Sequence, residues 1–268
     1  KMETISYIAC SQVPCVIIDV VRGGPGLGDI QPAQSDYFQI VKGGGHGDYN
    51  LIVLAPSTVQ EAANLVMMGF DLADKYRNPV VIMADGALGQ MMEAVEFEEY
   101  QPKVFDKSWA LTGAKGREPN RVVPFNLSEV ELEKMNLNLQ KTYNRIKSLE
   151  VQYEEVNMKN PEVIVVAYGL CGRISKSVIK MAKEENIEVG LIRPVTLWPY
   201  PYKAIHDAYN RFSKAQILTV EMSAGQMVED VKLACGGMFD KRVHFYGRMG
   251  GVVPSPEEIL EEVKKMKS

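Results

Sequence analysis

The heptapeptide Arg22-Gly23-Gly24-Pro25-Gly26-Leu27-Gly28 combines one permanent cation with an almost bare backbone. A guanidinium stays charged at any working pH and offers its N–H groups in a planar fork that matches a carboxylate or phosphate. Four glycines in seven residues remove the side-chain wall that would otherwise keep a ligand or subunit away from the main chain. The apolar run Val13–Val21 leads into this turn and reads as a strand. An arginine at a strand end is ordinarily a surface salt bridge. The glycine surround favours an anion site instead, and Gly23, Gly24, Pro25, Gly26 and Gly28 would form the backbone of its pocket.

Other residues with chemical potential are weaker. Neither the turn at 22–28 nor the loop Gly43-Gly44-Gly45-His46-Gly47-Asp48 gives Gly-x-Gly-x-x-Gly, and no Gly-Lys-Ser/Thr phosphate loop exists, so NAD and ATP binding lack support. His46, between Gly45 and Gly47 and near Asp48, has no acid or nucleophile partner in sequence. It reads as an interface or pocket loop before general acid–base work. Ala84-Asp85-Gly86 resembles the metal–diphosphate motif of thiamine enzymes, but positions 110–116 contain no Asn to complete a metal shell. Asp85 is therefore expected to be a hydrogen-bonding residue at a strand end. Glu221-Met222-Ser223-Ala224-Gly225-Gln226-Met227 marks a strand-to-helix junction, whose amides either meet an anion or are capped from within. Gly247–Gly251 carries the same two readings. Cys10, Cys15, Cys171 and Cys235 form no CxxC pair and no His/Cys spacing. No metal site is expected from this chain alone, and the thiols suit a reduced, cytoplasmic setting.

The elements that must position these residues follow an α/β pattern. The chain has 268 residues, 46% hydrophobic and 24% charged, with net charge −4. That composition is globular and gives no reason to expect nucleic acid or a membrane as partner. A strand at 13–21, short helix near 33–41, strand at 51–54, helix at 58–76 and strand at 79–84 alternate in the manner of a parallel sheet with flanking helices. Residues 98–127 read as a long connection. Ser128 and Glu131 form a capping box for a long amphipathic helix reaching toward Tyr153. A second α/β unit has strands at 163–167, 188–193, 216–221 and 242–246, helices at 172–185, from about 225, and at 256–267, and a Pro-rich loop over 193–201.

Taken together, these stretches resemble the α subunit of 2-oxoacid:ferredoxin oxidoreductases. The matches are Asp19–Gly28, Gln31-Pro32, Gln34-Ser35-Asp36-Tyr37, Gly44–Asp48, Leu54–Ser57, Tyr76–Val80, Arg193–Pro199, and Glu221 with Gly225-Gln226-Met227. The resemblance implies an α/β protein. Residues 1–100 would be the C-terminal part of a pyrimidine-binding-type domain of thiamine-diphosphate enzymes. Residues 101–160 would be a connection with the long helix, and 161–268 a transketolase C-terminal-like domain. It further implies oxidative decarboxylation of a 2-oxoacid with coenzyme A, giving acyl-CoA, CO₂ and reduced ferredoxin. Thiamine diphosphate with Mg²⁺ and a [4Fe-4S] cluster would be held mainly by a β subunit, alongside γ and ferredoxin-type δ subunits. Arg22 falls on the arginine that grips the substrate carboxylate in this family.

Two departures shape the expectation. The family's activating glutamate and Tyr-Pro-Ile-Thr-Pro segment normally lie about a hundred residues upstream and are not in this sequence, so the chain as given is expected to be inert alone and to lack N-terminal sequence. Gly24-Pro25-Gly26-Leu27-Gly28 also stands where 2-oxoglutarate members carry Gly-Pro-Ser-Thr-Gly. Fewer hydroxyls and a leucine favour a branched aliphatic substrate, with Leu27 lining the pocket. The pattern resembles the branched-chain (2-oxoisovalerate) type. A 2-oxoglutarate enzyme, or a non-catalytic assembly module, are the alternatives.

Overall fold

The computed structural model describes residues 1–97 and 99–267. In chain order the elements are α1 (Met2–Cys10), β1 (Cys15–Val21), α2 (Tyr37–Val41), β2 (Ile52–Leu54), α3 (Val59–Tyr76), β3 (Pro79–Asp85) and α4 (Gly86–Gln90). There follow α5 (Glu129–Leu149), β4 (Tyr153–Val156), β5 (Val163–Val166), α6 (Gly169–Glu184), β6 (Val189–Pro194) and β7 (Thr196–Trp198). The chain closes with α7 (Tyr202–Arg211), β8 (Gln216–Glu221), α8 (Met227–Ala234), β9 (Val243–Gly247) and α9 (Pro256–Lys265).

Two sheets result. The first has strand order β1-β3-β2-β7, with β1, β3 and β2 parallel and β7 antiparallel at one edge. The second has order β4-β6-β5-β8-β9, parallel except for β4. The continuous apolar runs of β2, β3 and β5 bury both faces, as parallel strands covered by helices require. Thr58 caps α3 by accepting the Glu61 N–H, and Leu65, Gly69, Leu72, Ala73 and Tyr76 form its buried stripe.

Several sequence expectations change. Helix α1 has no side-chain cap and is rich in β-prone residues, which hid it, yet Ile5 and Ala9 anchor it in the core. The helix expected from 33 begins only at Tyr37, because Gln34 is committed elsewhere: its backbone N–H donates to Met222 O at 2.8 Å. The long helix stops at Leu149, and Tyr153 instead opens β4. Its capping box is half-formed, since Ser128 accepts the Glu131 N–H while the Glu131 carboxylate pairs with Lys134. The segment 193–201 is not a loop. Its β-branched and aromatic residues finish β6 and, after Val195 alone, begin β7, so the chain passes from the second sheet into the first. The prolines masked both β7 and the following helix α7.

Charged side chains hold the seam between the sheets. Arg193, 5% exposed at the end of β6, donates from Nη1 and Nη2 to Glu61 of α3 at 3.1 and 2.8 Å and from Nε to Glu154 of β4 at 2.7 Å. Gln34 donates from Nε2 to Tyr168 O and accepts the Met222 N–H at Oε1. Asp230 of α8, also buried, accepts from Tyr37 at 2.6 Å, from Lys42 at 2.5 Å and from Tyr202. At the start of α8 the buried Glu221 carboxylate accepts the backbone N–H groups of Gln226, Met227 and Val228 and the Ser223 hydroxyl. Burial pushes that carboxyl upward and the three amides oppose the shift.

Removing Arg193 takes the shared cation from two partly exposed carboxylates, leaving Glu154 to Lys176 and Glu61 to Ser57. Arg193→Met should therefore lower stability by about 2 kcal/mol, read as a lower denaturation midpoint, and Arg193→Lys should recover only part because the bidentate contact is lost. An unchanged midpoint would show that the cluster does not hold the seam. Burial raises the Glu154 carboxyl, but hydrogen bonds from Lys176 and Arg193 outweigh it and set it below its ordinary value of 4.5. Its contribution is present above that value and is lost as pH falls through the lower folded value, so an acid titration should show stability falling below about pH 4.5. Glu221→Gln should cost about 2 kcal/mol, because an amide NH₂ then faces backbone donors; a melting scan of the variant measures it.

Candidate functional site

Strand β1 delivers its C-terminal end to a loop that folds back on itself. Gly23 N–H donates to Gln31 O at 2.8 Å, Asp29 N–H to Gly23 O at 3.0 Å, and Arg22 and Pro32 form an antiparallel bridge. The Gly24–Pro25 peptide is cis. Gly28 has φ +54°, and a Cβ there would sit 1.7 Å from Gly23 O, so no other residue closes this turn. Gly23 approaches the second glycine loop: its Cβ would lie 3.0 Å from Gly251 N. Of the glycine loops found in the sequence, those at 22–28 and 247–251 therefore share one wall.

Arg22 is exposed, and its Nη1 donates to Leu27 O and, at 3.1 Å, to Asp29 O. Among the described residues Nε and Nη2 make no hydrogen bond. The loop thus fixes the guanidinium and leaves the Nε–Nη2 edge open, the edge that grips a carboxylate with two parallel bonds. The cavity it faces has a volume of about 600 Å³ and is walled by Arg22, Gly23–Gly26, Asp19, Val20, Ala33, Ser35, Asp36, the 222–224 turn, Gln226, Met249 and Gly250. Asp19 and Asp36 are half-buried. Burial first, then the charge of Asp36, raises the Asp19 carboxyl, and burial raises Asp36 against the pull of Arg22.

The sequence candidates separate here. Arg22, Gly23, Gly24, Pro25 and Gly26 share the cavity wall. Leu27 is outside that wall and 89% exposed, and Gly28, also exposed, closes the turn without lining the cavity. His46 and Asp48 line another cavity, of about 430 Å³, with Tyr7, Cys10, Phe125 and Leu132. Gly45 packs nearby, its N–H donating to Tyr49 Oη. The structure therefore does not bring the His46 loop to the Arg22 cavity. A larger cavity, about 850 Å³, is lined by Asn50, Lys147, Trp198 and Tyr202 and shares no wall residue with the Arg22 cavity. Asp19, Asp36 and Met249 were missed as wall residues. An acid inside the apolar run of β1, three residues before Arg22, was the available signal.

The anion reading at the start of α8 closes, and Asp85 is the hydrogen-bonding strand-end residue expected. The amides at the start of α8 are taken by the chain's own Glu221, and Gln226 holds backbone, accepting from Phe38 N–H at 2.7 Å and donating to Ser35 O at 2.7 Å. Asp85 accepts Ala87 and Leu88 N–H at Oδ1 and Leu170 N–H at Oδ2, in a seam with no room for a water. Its oxygens serve α4 and α6, so the metal–diphosphate end of a thiamine cofactor does not fit Asp85. Among the described residues no group of three or more His, Cys, Asp or Glu could hold a metal ion, and no helix is long and apolar enough to cross a membrane.

Residues 1–157 match the thiamine-diphosphate-binding region of pyruvate flavodoxin/ferredoxin oxidoreductase, and residues 161–259 match pyruvate:ferredoxin oxidoreductase core domain II. A ketoisovalerate oxidoreductase subunit VorB from Methanothermobacter thermautotrophicus is 45% identical over 99% of this chain and 74% of its own length. A 2-oxoglutarate synthase subunit KorA from the same organism is 29% identical over 98% and 76%. The solved 2-oxoglutarate:ferredoxin oxidoreductase of Magnetococcus marinus, with 2-oxoglutarate, coenzyme A and succinyl-CoA bound, shares the fold at a TM-score of 0.81 and 23% identity, over the whole of this chain and 51% of that one. The α/β sheets, their order along the chain and these matches agree: this chain belongs to the 2-oxoacid:ferredoxin oxidoreductase family.

Proposed function

We propose that this chain is the α-type subunit of a branched-chain 2-oxoacid:ferredoxin oxidoreductase, converting a 2-oxoisovalerate-like acid and coenzyme A into acyl-CoA, CO₂ and reduced ferredoxin. The observation that carries the reading is the open Nε–Nη2 edge of Arg22, fixed by its own loop over a cavity with a single cation. That edge binds the carboxylate next to the keto group and so orients the bond to be broken, with effective positioning supplied before reaction. Val20, Ala33, Met222 and Met249 give an apolar wall for a branched tail. The higher identity to the ketoisovalerate relative than to the 2-oxoglutarate one supports the same choice.

Thiamine diphosphate, bound by the complex, would supply the nucleophilic carbon and the electron sink for decarboxylation. Because Asp85 is consumed by helix starts, its diphosphate, Mg²⁺ and a [4Fe-4S] cluster belong on a partner β subunit, with γ and ferredoxin-type δ subunits completing the assembly. The pyrimidine-type region is assigned to residues 1–100, the connection to 101–160 and the C-terminal α/β region to 161–268. Four free cysteines suit a reduced cytoplasmic compartment.

In the assembled complex, Arg22→Met should lower kcat/KM for 2-oxoisovalerate by about 100-fold, the loss of roughly 3 kcal/mol from a charge-assisted carboxylate contact, while thiamine diphosphate affinity is retained. Unchanged kinetics would remove Arg22 from the substrate site. Turnover of 2-oxoisovalerate against 2-oxoglutarate by the native complex decides between the two substrate types, with the branched acid expected to be preferred.

A further inference from the structure

The wall of the Arg22 cavity holds few apolar side chains larger than alanine, and most are committed. Met222 is 1% exposed and belongs to the core cluster formed by β5, β8, α6 and α9. Val20 and Pro25 lie in the stretch Asp19–Gly28 that is shared across the family, and Val20 rests against α4, where a Cβ on Gly89 would come within 3.1 Å of it. Ala33 and Ala224 offer only a methyl group. Met249 is different. It stands in none of the shared stretches and is 60% exposed, yet it lines the cavity.

The backbone around Met249 is fixed from both sides. Arg248 N–H donates to Glu221 O at 3.1 Å, and Arg248 Nη1 donates to Glu258 of α9 at 2.9 Å. Gly250 and Gly251 turn with φ +60° and +87°, and a Cβ on Gly251 would come within 2.9 Å of the Asp29 carboxylate in the Arg22 loop. Met249 O accepts the Val252 N–H at 3.3 Å. The loop thus gives Met249 a set position beside the Arg22 turn while its side chain stays largely open. An unbranched thioether in such a place adapts its rotamers to the apolar group that meets it. Covering it removes apolar surface from water, a gain that folding alone leaves unused.

We propose that Met249 receives the aliphatic tail of the 2-oxoacid and sets its upper size, so that the site takes short branched acids as a class. This rests on the reading of the Arg22 cavity as the 2-oxoacid site. A 2-oxoacid held by its carboxylate on Arg22 carries its tail at the other end of the molecule, and Met249 is the uncommitted apolar side chain in the wall. The tail contact expected of Leu27 therefore passes to the 247–251 loop.

The test uses the assembled complex carrying Met249→Ala, assayed on 2-oxoisovalerate and the longer 4-methyl-2-oxopentanoate. The ratio of the two kcat/KM values should move toward the longer acid by about tenfold, equivalent to about 1.4 kcal/mol, with the change in KM. An unchanged ratio, or an equal loss on both acids, overturns the assignment of Met249. Met249→Gln keeps the length of the side chain and removes its apolar character, so it reads the contact even where the alanine variant fails to assemble. In that variant KM for 2-oxoisovalerate should rise about tenfold while KM for pyruvate, which has only a methyl group, stays the same. An unchanged KM for 2-oxoisovalerate, or an equal rise for pyruvate, overturns the assignment. Either failure in a complex that loses activity through Arg22→Met falls on Met249 alone, whereas unchanged kinetics of Arg22→Met remove the site and the tail contact together.

Discussion

The guanidinium of Arg193, clamped between Glu61 and Glu154 where one sheet hands the chain to the other, is the interaction on which the remaining architecture depends. Glu61 belongs to α3, whose start lies over the first sheet, and its Oε2 also accepts from Ser57 N–H at 2.7 Å. Arg193 closes β6 and Glu154 belongs to β4, both in the second sheet. One cation therefore fixes three elements at once, just before β7 leaves to pair with β2. Gly172 of α6 is held so near that a Cβ there would come within 2.8 Å of the Arg193 stem. With this seam closed, Gln34 can reach Met222, and the turn at 222–224 can reach the Arg22 loop. The cavity is a product of the seam, since one wall comes from β1 and the other from the end of β8.

Much of this was legible in sequence wherever a local signal carried it. The continuous apolar runs at 79–84 and 163–166 became β3 and β5, and Thr58 capped α3, because burial on both faces and an N-cap are written in neighbouring residues. The Arg22 turn was legible for the same reason: the glycines state a backbone need that only this conformation meets. What failed were elements whose stability comes from distant partners. Strand β7 is three residues long and flanked by prolines, and it exists because β2 offers an edge. Helix α2 was shortened by a hydrogen bond that Gln34 makes to a residue far along the chain. No periodicity encodes such competition.

The site shows the same division. Arg22 announced itself through its surround, whereas Asp19 and Asp36 entered only as members of the stretches Asp19–Gly28 and Gln34–Tyr37. Their meaning depends on facing the same space, which the alternation of β1 and the placement of α2 create together. The amides at the start of α8, attractive in sequence as an anion site, were already answered by Glu221 from the preceding strand. Glu221, five residues before the N-cap Gln226, thus brings this helix start its own counter-charge.

The passage from β6 to β7 across Val195 has an evolutionary and practical meaning. The two sequence matches meet near residue 160, yet the first sheet takes its last strand from residues 196–198 and the second sheet opens with residues 153–156. The regions that evolve as recognisable units are thus not the units that fold. A gene split or protein fragment ending between them would leave β2 with a bare edge and its ladder open to other chains. The middle of the chain is sewn in both directions.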